Sequence, residues 1–160
     1  MKNELKELRE KSGFTQKQAA DYLGLSLRSY IMYENEKYRR DSIKYRYIVE
    51  KLSEKSFIDE THGVLSITYI KDVVHEVLSE YEVEYCYLFG SYAKGNPTEK
   101  SDVDLLISGN VNGLKFYGLV EKMRERLNKR IDLLKVNQLE NNIELLNEIL
   151  KDGIKIYEIN

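Results

Sequence analysis

The chain has 160 residues, 42% of them hydrophobic and 32% charged, a balance typical of a soluble protein with one large or two small domains. No run approaches the roughly 20 apolar residues of a membrane span, and the charged N-terminus is unlike a signal peptide, so we expect a cytoplasmic protein with no membrane partner. The net charge is −2, and the single Cys86 excludes a disulfide framework and a cysteine zinc cluster.

Four short helices are predicted in the first third of the chain. Leu5 and Leu8 begin the first, which ends near Gly13. Thr15 and Gln18 have the spacing of a capping box at the start of a second helix. Ser26 follows Gly24 so closely that the second and third helices form a helix-turn-helix. The apolar side chains at helical spacing, which we expect to form a small core, are Ala19, Ala20, Leu23, Tyr30, Tyr33, Tyr45, Ile48, Val49 and Leu52.

A change of pattern after this segment predicts a domain boundary. Residues 58–66 show no clear period, so we interpret them as a linker between a helix-turn-helix domain, residues 1–57, and a second domain, residues 67–160. In the second domain helical and strand patterns alternate, which indicates a mixed α/β sheet. The predicted strands are 83–89, 103–107, 131–134 and 154–159, and the predicted helices cover apolar positions within 67–81, 116–127 and 139–150. The predicted fold class is therefore α plus α/β.

The residues suited to chemistry lie around the first two of these strands. Gly90 and Ser91 follow the first strand, where a glycine lets a ligand approach the backbone closely and a hydroxyl adds a donor for phosphate oxygens. Asp102 and Asp104 are two residues apart on the second strand, so their carboxylates project from one face about 6–7 Å apart. That face suits a divalent metal ion.

Asp132 is a third carboxylate, in a strand that otherwise consists of core residues. A buried charge is costly unless it is paired or binds a metal, so we expect its strand to lie beside that of Asp102 and Asp104. Three carboxylates can hold two Mg²⁺ ions that clamp the oxygens of an in-line displacement at phosphorus. An Asp-x-Asp alone is common on solvated strand ends and a Gly-Ser pair is usually a turn. Their combination in this order favours a nucleotidyl transfer site.

This pattern, from Gly90-Ser91 through Asp102-Val103-Asp104 to Asp132, resembles the DNA polymerase β-like nucleotidyltransferase superfamily and its minimal branch, the MntA-type antitoxins. The resemblance implies that Gly90 and Ser91 contact the triphosphate of ATP, that Asp102 and Asp104 bind two Mg²⁺ ions, and that Asp132 helps to activate the attacking hydroxyl. Lys94 stands where many relatives have arginine, which implies a phosphate contact. Minimal members pair with a HEPN-family ribonuclease toxin and silence it by adding AMP to a tyrosine. The resemblance therefore also implies a toxin partner. It further implies that the chain forms either a homodimer or a hetero-oligomer with that toxin.

Residues 1–55 resemble the Cro/repressor-type helix-turn-helix family, through Phe14-Thr15-Gln16, Ala19-Ala20, Leu23-Gly24-Leu25-Ser26 and Tyr33-Glu34-Asn35. The resemblance implies operator DNA as a partner, with Gln16 as a phosphate or base contact and Leu27, Arg28 and Ser29 facing the base edges. Leu27 departs from the usual polar residue and offers only apolar contact. The alternative is a helix-turn-helix reused for dimerisation or protein binding.

The basic cluster Lys122, Arg124, Arg126, Lys129 and Arg130 is interspersed with glutamates, so we interpret it as a solvated helix face.

Three functions are compatible with these patterns. The first is an antitoxin that adenylylates a partner toxin and represses its own operon. The second is a nucleotidyltransferase for a small molecule such as an antibiotic, although the chain leaves little room for a substrate pocket. The third is a transcriptional regulator whose second domain only senses nucleotide.

Overall fold

The described part of this computed structural model comprises residues 3–35 and 40–160. The chain separates into two units, Met1–Ile58 and Asp59–Asn160. Residues 59–66, which the sequence suggested as part of a linker, therefore belong to the second unit. Within residues 3–35 and 40–160, the structure contains no helix that could span a membrane.

Four helices form the described part of the first unit, and their caps explain their bounds. Thr15 and Gln18 form the predicted capping box. Gly24, at φ 68°, ends the second helix in the left-handed conformation that favours glycine, and the Ser26 side chain accepts from the Ser29 amide to start the third. The helices are α1 (Glu4–Lys11), α2 (Gln16–Leu23), α3 (Leu27–Glu34) and α4 (Ile43–Lys55). The predicted helix-turn-helix is confirmed.

The first unit has its own hydrophobic core. Leu5 from α1 packs with the predicted apolar faces of the other three helices, and Val49 is partly buried against them. The buried members are Leu5, Ala19, Ala20, Leu23, Tyr30, Tyr33, Tyr45, Ile48 and Leu52. The helical periodicity of the sequence therefore identified this core correctly.

The second unit is built on a four-stranded mixed sheet. Its strands are β1 (Val83–Phe89), β2 (Val103–Gly109), β3 (Ile131–Lys135) and β4 (Ile154–Glu158), in the order β3-β2-β1-β4. β1 is antiparallel to both β2 and β4, whereas β2 and β3 are parallel. This arrangement confirms the predicted mixed sheet.

Helices pack around this sheet. They are α5 (Ile67–Leu78), α6 (Gly90–Lys94), α7 (Leu114–Leu127) and α8 (Ile143–Asp152), with a 3₁₀ turn at Val136–Leu139. α5 and α7 contact each other, and they contact β4 and β3 respectively, while α8 contacts β1 and α6. The last helix begins later than its apolar spacing suggested, because the Asn142 side chain caps it by accepting from the Leu145 amide.

One member of the basic cluster is not on a solvated face. Lys129 is fully buried, and its Nζ donates to the backbone oxygens of His62 at 3.2 Å and Glu99 at 2.6 Å. Burial lowers the pKa of Lys129, while Asp59 and Glu99 act in the opposite direction. Lys129 thus ties the segment that contains His62 to the loop that leads to Asp102.

Candidate nucleotidyl transfer site

The sequence places a sharp corner at the end of β1, and the structure shows how it is built. β1 ends at Phe89, and Gly90 begins the five-residue helix α6 with a φ of 70°. Ser91 follows on α6 and is half-buried. Gly95 ends the helix, again at a positive φ. The predicted order of strand, Gly-Ser corner and short helix is therefore present.

The strand register brings two of the predicted carboxylates side by side. Asp104 on β2 is the register partner of Phe89 on β1 and of Asp132 on β3. Register partners point to the same face of a sheet, and neighbouring strands lie about 4.8 Å apart. Phe89, Asp104 and Asp132 therefore form one row across three strands, at the end of the sheet where the Gly90 corner begins.

Gly90 is in close contact with this row. A Cβ atom added at Gly90 would lie 2.1 Å from Oδ2 of Asp104 and 2.9 Å from its Cγ. Glycine is therefore required here both by its positive φ and by the space that the Asp104 carboxylate occupies. The sequence predicts that a ligand approaches Gly90 closely. In this structure the group that lies close to Gly90 is the side chain of Asp104, another residue of the same candidate site.

The electrostatic environment of Asp104 is negative. Burial raises the pKa of Asp104 to about 6, and the charges of Asp132, Asp102 and Glu148 act in the same direction. Asp104 is half-buried, whereas Asp102 and Asp132, the other members of this group of carboxylates, are both exposed. The expectation that Asp132 is a buried charge was wrong, because its side chain lies at the solvent-accessible end of the row.

The donor set suits a hard divalent cation. Mg²⁺ in nucleotide sites is held by one or two carboxylates together with phosphate oxygens and water, and Asp102 and Asp104 supply such carboxylates. Within residues 3–35 and 40–160, no three acidic, histidine or cysteine side chains are spaced to hold one metal ion. The structure itself therefore displays no preformed three-ligand site, and the assignment of two Mg²⁺ ions to Asp102, Asp104 and Asp132 stays a prediction.

Lys94, expected to contact phosphate, is held by an acidic residue that the sequence did not single out. Its Nζ lies 2.7 Å from Oε1 of Glu148 on α8, and hydrogen bonding to Glu148 raises the pKa of Lys94. Glu148 therefore stands beside both Lys94 and the carboxylates around Asp104. Glu148 lies within an amphipathic helix, where a glutamate is common, so the sequence did not indicate that it belongs to the site.

The residues expected to contact DNA fall into two groups. Leu27, with 42% of its surface exposed, and Arg28 are exposed at the start of α3, and Ser29 lies beside them. The Gln16 amide instead donates to Oε1 of Glu34 at 3.0 Å. Leu27, Arg28 and Ser29 thus share one end of α3, while Gln16 is engaged within its own domain.

Glu34 is the centre of a polar cluster that the sequence did not predict. It is 3% exposed and accepts from the Arg9 guanidinium at 2.7 and 3.0 Å and from the Tyr30 hydroxyl at 2.8 Å. Burial alone would raise the pKa of Glu34, but the hydrogen bonds from Arg9, Gln16 and Tyr30 outweigh it and hold that pKa below its usual value. The cluster joins α1, α2 and α3.

Comparison with protein families agrees with both units. The model of the polymerase beta nucleotidyltransferase family matches residues 72–160, and a helix-turn-helix model matches residues 5–40. The second unit therefore has the fold of a nucleotidyltransferase domain. The chain belongs to the polymerase beta nucleotidyltransferase family and carries an N-terminal helix-turn-helix domain.

Individual relatives each match about half of the chain. A protein of Methanocaldococcus jannaschii, whose name provisionally assigns it a protein adenylyltransferase activity, is 36% identical over an alignment of 75 residues that covers 43% of this chain and 76% of that protein. A second one from the same organism, named in the same way, is 30% identical over 80 residues, 46% of this chain and 93% of the relative. Among solved structures, the complex of a tri-AMPylated Shewanella oneidensis HEPN toxin with an MNT antitoxin aligns with a TM-score of 0.45 at 17% identity, over 57% of this chain and 72% of that chain.

Proposed function

We propose that the chain is an antitoxin that transfers AMP from ATP onto a hydroxyl of a partner protein. The observation that carries this proposal is the row of Asp104 and Asp132 beside the Gly90 corner, in a chain of the nucleotidyltransferase family. Two relatives of the second domain are named for adenylylation of proteins, which favours a protein acceptor over a small molecule.

Each site residue has a role in this reaction. Gly90, Ser91 and Lys94 contact the triphosphate. Lys94 must therefore either break its ion pair with Glu148 or bind Glu148 and a phosphate oxygen at the same time. Asp102 and Asp104 would hold Mg²⁺, and Asp132 would contribute to a second ion. When bound, the metal would supply neutralisation of the charge that develops on the phosphate oxygens. Because positioning and charge neutralisation dominate phosphoryl transfer, a small domain with these few groups is sufficient.

The acceptor oxygen attacks the α-phosphorus and pyrophosphate leaves with the electrons of the broken bond. Asp132 is accessible at the end of the row, where it can accept a hydrogen bond from the attacking hydroxyl. A tyrosine hydroxyl has a pKa near 10, so it needs this help to lose its proton at neutral pH. The resemblance to the minimal branch makes a tyrosine of a HEPN-family ribonuclease the acceptor that we propose.

The first unit would direct the chain to its own operator. Leu27, Arg28 and Ser29 are available at the start of α3 for contact with bases, and DNA binding would make the protein an autorepressor. The Gln16 amide would have to leave Glu34 to reach DNA, so we assign it the lesser role.

The proposed transfer is tested with labelled ATP, Mg²⁺ and the purified product of the adjacent reading frame. We expect label on that partner with the wild-type chain, and a fall of at least about 100-fold with Asp102→Ala or Asp104→Ala, because charge neutralisation at phosphorus contributes several kcal/mol. Asp72→Ala, which removes an exposed carboxylate of α5, is the matched control and should label the partner normally. Equal labelling by all four proteins would rule out the site. A wild-type chain that binds ATP and transfers nothing would instead support a nucleotide-sensing regulator.

A further inference from the structure

Helix α8 leaves most of its apolar side chains uncovered. Of its five aliphatic residues, Ile149 alone is buried. Ile143 is 68% exposed, Leu146 is 37% exposed and Leu150 is 75% exposed. Their spacing of three and four residues places them on one side of the helix. We call these three residues the α8 stripe. A helix with so amphipathic a pattern normally buries such a stripe, which indicates that something else covers it.

A groove lies next to the α8 stripe. A cavity of about 480 Å³ is lined by Leu146 and Leu150 of α8 and by Tyr85 and Tyr87 of β1. The two tyrosine rings meet edge to face, with their centroids 5.7 Å apart. An exposed stripe beside an apolar groove is the arrangement that receives one amphipathic helix of a partner.

The charges around the α8 stripe define that partner. Apart from its apolar residues and Asn147, α8 carries Glu144, Glu148 and Asp152 against Lys151. Glu148 is paired with Lys94, and Lys155 and Glu158, which line the groove, pair with each other, so Glu144 and Asp152 give the surface its acidic excess. Residues 56–160 as a whole carry 18 acidic against 12 basic side chains. A second copy of this chain would bring acidic residues against acidic residues, and nucleic acids or anionic membranes would be repelled. The surface therefore fits a protein helix with basic residues beside its apolar face.

The α8 stripe is also connected to the candidate site. α8 packs against α6, and the Glu148 carboxylate binds Lys94 of α6 at 2.7 Å. A helix docked on α8 would thus be held one helix away from the Gly90 corner, where an acceptor hydroxyl has to be delivered.

We propose that the α8 stripe and its groove dock an amphipathic, basic helix of the protein that accepts AMP. The inference rests on the proposed function, because it identifies the occupant with the acceptor. Docking of this kind would supply the acceptor specificity that a domain of this size cannot build as an enclosed pocket.

The test uses the full chain with Ile143 and Leu150 both changed to lysine, and the purified product of the adjacent reading frame as the probe. Both side chains are exposed, so the variant should fold, which circular dichroism and melting will show. We expect at least a 10-fold weaker affinity for the probe by calorimetry and a similar rise in the KM for it, with kcat and the Kd of ATP unchanged within about twofold. Leu114→Lys, at a residue of α7 that is 90% exposed, is the control and should leave all four values unchanged.

Three results would overturn the docking surface. One is that the double variant binds and modifies the probe as the wild type does. Another is that the wild type self-associates in sedimentation and the double variant does not, since a second copy would then cover the stripe. A third is that Leu114→Lys weakens binding equally. If the wild-type chain transfers no label, the proposed function fails, while the comparison of binding affinities still decides whether the stripe docks this probe.

Discussion

At Gly90, both the backbone conformation and the position of a neighbouring side chain require a glycine. Its φ of 70° lies in the left-handed region, and the Asp104 carboxylate occupies the space of a side chain. Gly95, at the other end of α6, has a φ of 78°, and a Cβ atom added there would meet no atom within 4 Å. A comparison of substitutions at the two glycines therefore distinguishes backbone strain, which both positions have, from a clash with Asp104, which only Gly90 has.

We expect Gly90→Ala to lower stability and activity together, whereas Gly95→Ala lowers stability alone. The left-handed conformation costs an alanine about 1–2 kcal/mol at either position, and only at Gly90 must Asp104 also move. Thermal melting and label transfer, measured on both variants, check this. Equal activity of the two variants would show that the position of Asp104 does not matter for transfer.

Glu34 is the residue that holds the first unit together through polar contacts. Arg9 is 12% exposed at its side chain and Glu34 4%, so Glu34→Gln removes the nearer counter-charge of a largely buried guanidinium and leaves it with the more distant Glu10, at 4.0 Å. We expect a loss of about 3 kcal/mol, near the lower end for buried pairs, seen as faster hydrogen exchange of the α1–α4 amides in the full chain. Glu7→Gln, which removes a more exposed carboxylate near Lys11 at 3.9 Å, should change exchange by only a few tenths of a kcal/mol.

The same residue predicts a pH dependence. The folded pKa of Glu34 lies below its usual value of 4.5, so its stabilising contribution is complete above about pH 4.5 and is lost as the pH falls through the lowered pKa. Hydrogen exchange between about pH 3 and 7 should show protection of the first unit decline below about pH 4.5. A Glu34→Gln variant with the same decline would assign it to other carboxylates.

Among the elements, α3 is the helix whose proposed role a single substitution can test. Arg28→Ala should weaken binding to DNA from the chain's own promoter region about 10-fold or more, because an arginine at a base edge contributes about 1–3 kcal/mol. Fluorescence anisotropy at fixed salt measures this. Arg46→Ala removes the same charge from an exposed position on α4 and should have a smaller effect. Equal losses would indicate general electrostatic attraction without recognition by α3.

The sequence predicted the elements well because their signals are local. The apolar run that defines β1 ends at a glycine, and the capping residues Thr15 and Ser26 mark helix starts by their own chemistry. Residues 139–142 were assigned to a helix because apolar spacing continues through them, whereas the Asn142 cap starts α8 later.

The parts that the sequence could not supply depend on contacts between distant segments. Register decides that Asp132 stands beside Asp104, and the alternation of apolar residues is the same for several registers. The ion pair of Lys94 with Glu148 and the burial of Lys129 likewise require packing of elements far apart in the chain. Charged residues at such positions look like any solvated helix face until the fold is known.

In the molecule as a whole, chemistry and charge are divided between the two units. Each has a core made of its own residues, the first carrying an exposed arginine at the start of α3 and the second a row of carboxylates. The excess of basic residues in the first 55 positions and of acidic residues in the remainder follows the same division. A basic excess in the unit with the helix-turn-helix suits a polyanionic partner, and an acidic excess in the other unit suits metal ions or a basic protein surface.

The proposed nucleotide transfer requires that Asp102 and Asp104 hold a metal-bound nucleotide beside Gly90. A crystal structure of the full chain grown with Mn²⁺ and a non-hydrolysable ATP analogue tests this dependence through the anomalous signal of manganese. We expect a manganese peak about 2.1 Å from carboxylate oxygens of Asp102 and Asp104, with the triphosphate against Gly90 and Ser91. A nucleotide bound elsewhere in the chain, or manganese bound without either aspartate, would show that the site is wrongly assigned.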